Sequence, residues 1–147
     1  YGLKGEVPEE EYRVPFGVAD VKREGGDVTI VGYSRMAQVA LKAAEKLAKE
    51  GIEAEVVDLR SLRPIDTDTV VESVKKTNRA VVVEEGWKAL GVGAEVCAQV
   101  YEKALEHLDA PIQRVSGADT PMPYSRSLEL AAIPNEDRVI EAVHQLL

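Results

Sequence analysis

The chain has 147 residues, 45% of them apolar, and a net charge of −8. That length suits one domain with a single core, and no apolar run approaches the roughly 18 residues of a membrane-crossing helix. An acidic surface repels phosphate backbones, so the composition argues against both membrane insertion and nucleic-acid binding.

The single cysteine, Cys97, leaves no internal disulfide framework and no cysteine-based metal site, and it fits a reducing compartment. Two histidines, His107 and His144, are too few for a His-rich zinc site. Tyr1–Glu11 is polar and acidic, contains Pro8 and lacks the apolar core of a signal peptide, so it reads as a linker. A chain opening on Tyr suggests a piece of a longer protein.

Val14–Glu24 reads as an extended edge segment. Val28-Thr29-Ile30-Val31, after Gly25-Gly26-Asp27, reads as a buried strand. Gly32-Tyr33-Ser34 then turns the chain, with Ser34 as expected N-cap. Met36, Val39, Ala40, Ala43, Ala44, Leu47 and Ala48 follow at helical spacing, with Lys42, Glu45, Lys46 and Lys49 on the other face and Gly51 as the stop. Ala54–Leu59 reads as a second strand despite Glu55. A helix capped by Asp66 follows, with Val70, Val71 and Val74 facing inward.

Ala80-Val81-Val82-Val83 reads as a third strand. The helix after Gly91-Val92-Gly93 has Gly93, Val96, Cys97, Val100, Tyr101 and Ala104 on its expected core face. Ile112–Val115 reads as a fourth strand and Gly117–Tyr124 as a loop. Asn135 caps a last helix with Val139, Ile140, Val143, Leu146 and Leu147 along one side. Short, wholly apolar strands alternating with helices predict an α/β fold. Its form is a three-layer αβα sandwich around a mostly parallel sheet of about five strands.

Few constellations could carry chemistry. Gly91-Val92-Gly93 opens a helix after a strand, but a dinucleotide fingerprint needs a third glycine where Val96 stands. Close helix–sheet packing explains the glycines better. Gly32-Tyr33-Ser34-Arg35-Met36 lacks the second glycine of a nucleophile elbow, and no histidine is near it in sequence. Cys97 lies on an apolar helix face and reads as a small hydrophobe. Glu84 and Glu85, at the end of the third strand, either line a site, as carboxylates at the end of a parallel strand often do, or solvate the sheet edge. Trp87 either packs down as a lid or anchors an interface. Glu102, Glu106 and Asp109 form an acidic run suited to a solvated face or a basic partner. No catalytic, cofactor-binding or metal-binding residue is assigned.

Three motifs carry a resemblance over about the whole chain. Asp58-Leu59-Arg60-Ser61-Leu62-Arg63-Pro64-Ile65-Asp66 resembles the signature of the transketolase C-terminal domain. Glu85-Gly86-Trp87 with Gly91-Val92-Gly93-Ala94-Glu95, and Gly117-Ala118-Asp119-Thr120-Pro121-Met122-Pro123-Tyr124, are similar to the beta subunits of pyruvate dehydrogenase.

The resemblance implies residues 1–17 as a linker from a missing pyrimidine-binding domain and residues 18–147 as the transketolase C-terminal-like domain. It implies a heterotetramer that decarboxylates pyruvate and reductively acetylates lipoyl groups of the acyltransferase. Thiamine diphosphate and magnesium would be bound outside this chain, which would be inactive by itself. The implied partners are a second beta subunit, the alpha subunit and the basic peripheral subunit-binding domain of dihydrolipoyl acetyltransferase. That domain would dock on Glu106, Asp109 and the Leu147 carboxylate, with Trp87 at an interface. The implied location is the bacterial cytoplasm or the mitochondrial matrix. The alternatives are the same domain of the branched-chain 2-oxoacid dehydrogenase, transketolase or deoxyxylulose phosphate synthase, or a flavodoxin-like nucleotide-binding module.

Overall fold

The computed structural model describes residues 5–147. Its strands are β1 (Asp20–Arg23), β2 (Val28–Gly32), β3 (Ala54–Asp58), β4 (Ala80–Trp87) and β5 (Gln113–Gly117). Its helices are α1 (Arg35–Ala48), α2 (Thr67–Thr77), α3 (Val92–Ala104), α4 (Arg126–Ala132) and α5 (Glu136–His144), with a 3₁₀ turn at Leu105–His107. The strand order is β1-β3-β2-β4-β5. β3, β2, β4 and β5 run parallel, and β1 closes one edge antiparallel to β3.

Period-two alternation on the strands builds the three layers. Val28, Ile30, Ala54, Val56, Val81 and Val83 pack under α1 and α5. Val31, Val57, Ala80 and Val82 pack under α2 and α3. Both faces are covered, which is why the strands are apolar on both sides. Most buried polar groups are paired, Arg114 Nε being the exception among the described residues. Thr29 Oγ1 lies 2.7 Å from both Ser73 Oγ and Thr77 Oγ1 of α2, and Glu55 is paired with Lys76. The result is the three-layer sandwich with a mostly parallel, five-stranded sheet that the sequence pattern predicts.

Several local expectations are corrected. Ser34 sits at the N-cap of α1 with φ +53°, but its side chain makes no cap hydrogen bond. Asp66 and Asn135 do cap, accepting from Thr69 N–H and Arg138 N–H. β4 continues past Val83 to Trp87, and α4 occupies a stretch with no predicted element. Tyr101 is 37% exposed rather than core-facing, because its hydroxyl reaches out to accept from Ile112 N–H at 3.2 Å. Leu147 is exposed because α5 ends three residues before it. Gly51, at φ +84°, makes the stop after α1 as expected.

Candidate functional site

In a parallel sheet, chemistry and partners gather where the strands end. Here that end is filled by a buried ion pair. Glu84, near the end of β4, is fully buried. Its Oε1 accepts from Arg114 Nη2 at 2.6 Å and from Ser116 Oγ at 3.0 Å, and its Oε2 accepts from Gly93 N–H at 2.9 Å. The carboxylate therefore caps α3 from beneath, which corrects the expectation that Glu84 solvates the sheet edge. β-strand alternation sends Glu84 inward under α3 and leaves Glu85 outside, where it faces Arg35 at 3.5 Å.

Gly91 and Gly93 are required by this arrangement. A Cβ on Gly91 would overlap the Glu84 carboxylate, and one on Gly93 would lie 2.7 Å from Glu84 Oε1. The space a phosphate needs at this turn is already taken by an anion.

Arg114 also donates to Lys88 C=O at 2.6 Å, so the buried pair holds the loop that follows Trp87. Trp87 itself is 53% exposed, and its indole N–H donates to Thr120 C=O at 3.2 Å. The two loops it joins carry Leu90, Met122 and Tyr124, all exposed. Leu90 has φ +57° and Ser34 φ +53°, an uncommon left-handed conformation for side-chain-bearing residues. Trp87 is thus half-covered, and the loops it joins carry further exposed apolar side chains.

The other end of the sheet gathers the predicted acidic residues. Asp109 Oδ2 lies 3.2 Å from Arg79 Nη2, and Arg79 Nε donates to Leu146 C=O at 3.0 Å. One side chain thereby brings Asp109 beside the last residues of the chain. Glu106, in the 3₁₀ turn, is largely exposed and lies 3.8 Å from His107 Nε2. Glu106, Asp109 and Leu147 therefore share one end of the molecule, and Trp87 lies at the opposite end.

His144 pairs with Glu50 at 2.8 Å where α1 and α5 finish, at the far end of the sheet from Ser34. Burial pushes the Cys97 thiol up, with nearby Arg114 pulling the other way, so no nucleophilic thiolate is prepared. Among the described residues, no group of three or more His, Cys, Asp or Glu is arranged to hold a metal ion.

The strand order β1-β3-β2-β4-β5, with helices on both faces, defines the class as an α/β sandwich, and comparison with known proteins gives the family. The chain belongs to the transketolase C-terminal domain family, whose profile matches residues 17–139. It is 51% identical over 146 residues to the mitochondrial pyruvate dehydrogenase E1 component subunit beta of Dictyostelium discoideum, covering 99% of this chain and 41% of that protein. The corresponding subunit of Rickettsia felis is also 51% identical, over 99% of this chain and 45% of its own length. That of Staphylococcus epidermidis is 51% identical over 95% of this chain and 42% of its own. A solved structure described as "Split gene transketolase, inactive beta4 tetramer" superposes with a TM-score of 0.81 at 34% identity, over 97% of this chain and 45% of that one. The chain spans about two fifths of the length of the curated relatives it matches.

The glycine turn before α3 is occupied by the Glu84 carboxylate, which would repel a diphosphate there.

Proposed function

We propose that the chain is the C-terminal part of a pyruvate dehydrogenase beta subunit and contributes partner-binding surfaces rather than a reaction centre. The carrying observation is identity of about half across 95–99% of the chain to proteins of that name. On this reading residues 1–17 are a linker from a pyrimidine-binding domain and 18–147 the folded unit. In support, residues 5–19 form no helix or strand, and the family profile begins at residue 17. The assembled heterotetramer of alpha and beta subunits decarboxylates pyruvate and passes the acetyl group to lipoyl groups. Thiamine diphosphate and magnesium are held outside this chain, and the chain alone is inactive. The relatives include bacterial and mitochondrial proteins, consistent with a bacterial cytoplasm or mitochondrial matrix.

The two ends of the sheet then have separate uses. The Trp87 end, with Leu90, Met122 and Tyr124, supplies apolar area for other subunits of the heterotetramer. The opposite end, with Glu106, Asp109 and Leu147, docks the basic peripheral subunit-binding domain of dihydrolipoyl acetyltransferase, an association steered by opposite charge. Calorimetric titration of the chain with that domain is expected to show binding that weakens as salt rises. Glu106→Lys and Asp109→Lys are each expected to weaken it by about tenfold at low salt. Absence of binding at low salt, or indifference to both substitutions, would remove this end as the docking face.

A further inference from the structure

Two adjacent residues tie together everything at the strand-start end. Asn78 closes α2 in the left-handed conformation at φ +61°, which asparagine tolerates well. Its side-chain amide donates to His107 C=O at 2.7 Å, and its own carbonyl accepts from Asp109 N–H at 2.9 Å. Arg79, the next residue, reaches Asp109 Oδ2 at 3.2 Å and Leu146 C=O at 3.0 Å. Four contacts from one dipeptide therefore grip the 3₁₀ turn at His107, the backbone and the carboxylate of Asp109, and the last residues of the chain. A guanidinium can bridge two acceptors in fixed geometry, which a lysine ammonium does not reproduce.

We infer that Asn78 and Arg79 are positioning residues of the docking face. They hold Asp109, the 3₁₀ turn carrying Glu106, and the last residues of the chain as one rigid surface for a basic partner. This rests on the docking reading above and adds a prediction of opposite sign to simple electrostatics. Removing the positive charge of Arg79 makes the chain more acidic, so charge attraction alone would tighten the binding of a basic domain. Positioning requires the reverse, because a basic partner then meets a freed Asp109 carboxylate and freed last residues and must order them on binding.

The test is titration of the same peripheral subunit-binding domain into the wild-type chain and into Arg79→Gln, Arg79→Lys and Asn78→Gly. Asn78→Gly keeps the positive φ while deleting the side-chain amide. Arg79→Gln is expected to weaken binding by about tenfold, the effect of losing one charge-assisted contact pair. Arg79→Lys, at unchanged net charge, is expected to recover less than half of that loss on the free-energy scale, and Asn78→Gly to weaken binding severalfold. In the free chain, amide hydrogen exchange at Asp109 and Leu146 is expected to quicken in Arg79→Gln, with exchange in β2 and α1 unchanged. Equal or tighter binding by Arg79→Gln, or full rescue by lysine, would overturn the inference while leaving the docking face intact. Unchanged exchange at Asp109 and Leu146 would overturn it as well. If the wild-type chain does not bind while exchange responds as expected, the docking reading is what fails, and the positioning role falls with it.

Discussion

Arg114→Leu is expected to destabilise the domain by about 3–5 kcal/mol, the typical result of stripping one partner from a buried ion pair. Glu84 has no access to water, and among the described residues Arg114 is its only cationic contact. Ser116 and Gly93 N–H would remain, but two neutral donors do not neutralise a carboxylate in a low-dielectric site. The change also frees Lys88 C=O, and with it the loop following Trp87. A domain of this size has a total stability of about 5–15 kcal/mol, so the variant should be marginal at 37 °C. Glu84→Gln added to Arg114→Leu is expected to regain about half the loss, because the amide oxygen can still accept from Gly93 N–H while the amide NH2 donates to Ser116 Oγ, and no charge remains buried. Urea denaturation measures both steps as shifts in midpoint. An Arg114→Leu midpoint within experimental scatter of wild type would show that Glu84 is not held by that pair.

Asp66→Ala is expected to cost about 2–3 kcal/mol, more than an ordinary helix cap, because the side chain serves two segments. Its Oδ1 accepts from Thr69 N–H at 3.1 Å at the start of α2, and its Oδ2 accepts from Ala19 N–H at 2.9 Å in the lead-in to β1. The Thr69 hydroxyl adds a third bond at 2.7 Å. Burial alone would push the Asp66 carboxyl up. The hydrogen bonds from Ala19, Thr69 and Asp68 more than offset it, and its pKa is lowered. A carboxyl with a lowered folded-state pKa stabilises the fold above its unfolded pKa of about 4, and that contribution is lost as pH falls through the folded value. Asp20 acts with the same sign, held down first by its hydrogen bond from Lys22 and, against burial, by Arg60. Wild-type stability should therefore fall below about pH 4, and Asp66→Ala should flatten that limb. A variant with an acid limb as steep as the wild type would assign the loss to other groups.

The fold was legible because the strands are runs of β-branched residues with no competing pattern: Val28–Val31 and Ala80–Val83 read as buried strands without any knowledge of partners. Asp66 and Asn135 were legible as caps because their residue type and position suffice. Ser34 was misleading for the same reason, since residue type alone does not reveal a φ of +53° that turns the hydroxyl away. Glu84 was misread because a carboxylate at a strand end looks solvated until β5 supplies Arg114, thirty residues later. α4 was hidden because a short helix after a proline-rich loop has too few turns to show a period. At the candidate docking face, the acidic residues were legible as a charge run. Their grouping with Leu147 came from the family resemblance and not from the residues themselves, because it depends on Arg79 reaching across to Asp109 and Leu146 from the start of β4.

The claim that this chain supplies surfaces and no reaction centre is tested most directly by calorimetric titration of thiamine diphosphate with magnesium into the chain alone. The prediction is no saturable heat up to about millimolar cofactor, a concentration at which even weak specific sites fill. Saturable binding of one cofactor per chain would contradict the account. It would place a diphosphate cradle within these 147 residues, where the structure puts the Glu84 carboxylate.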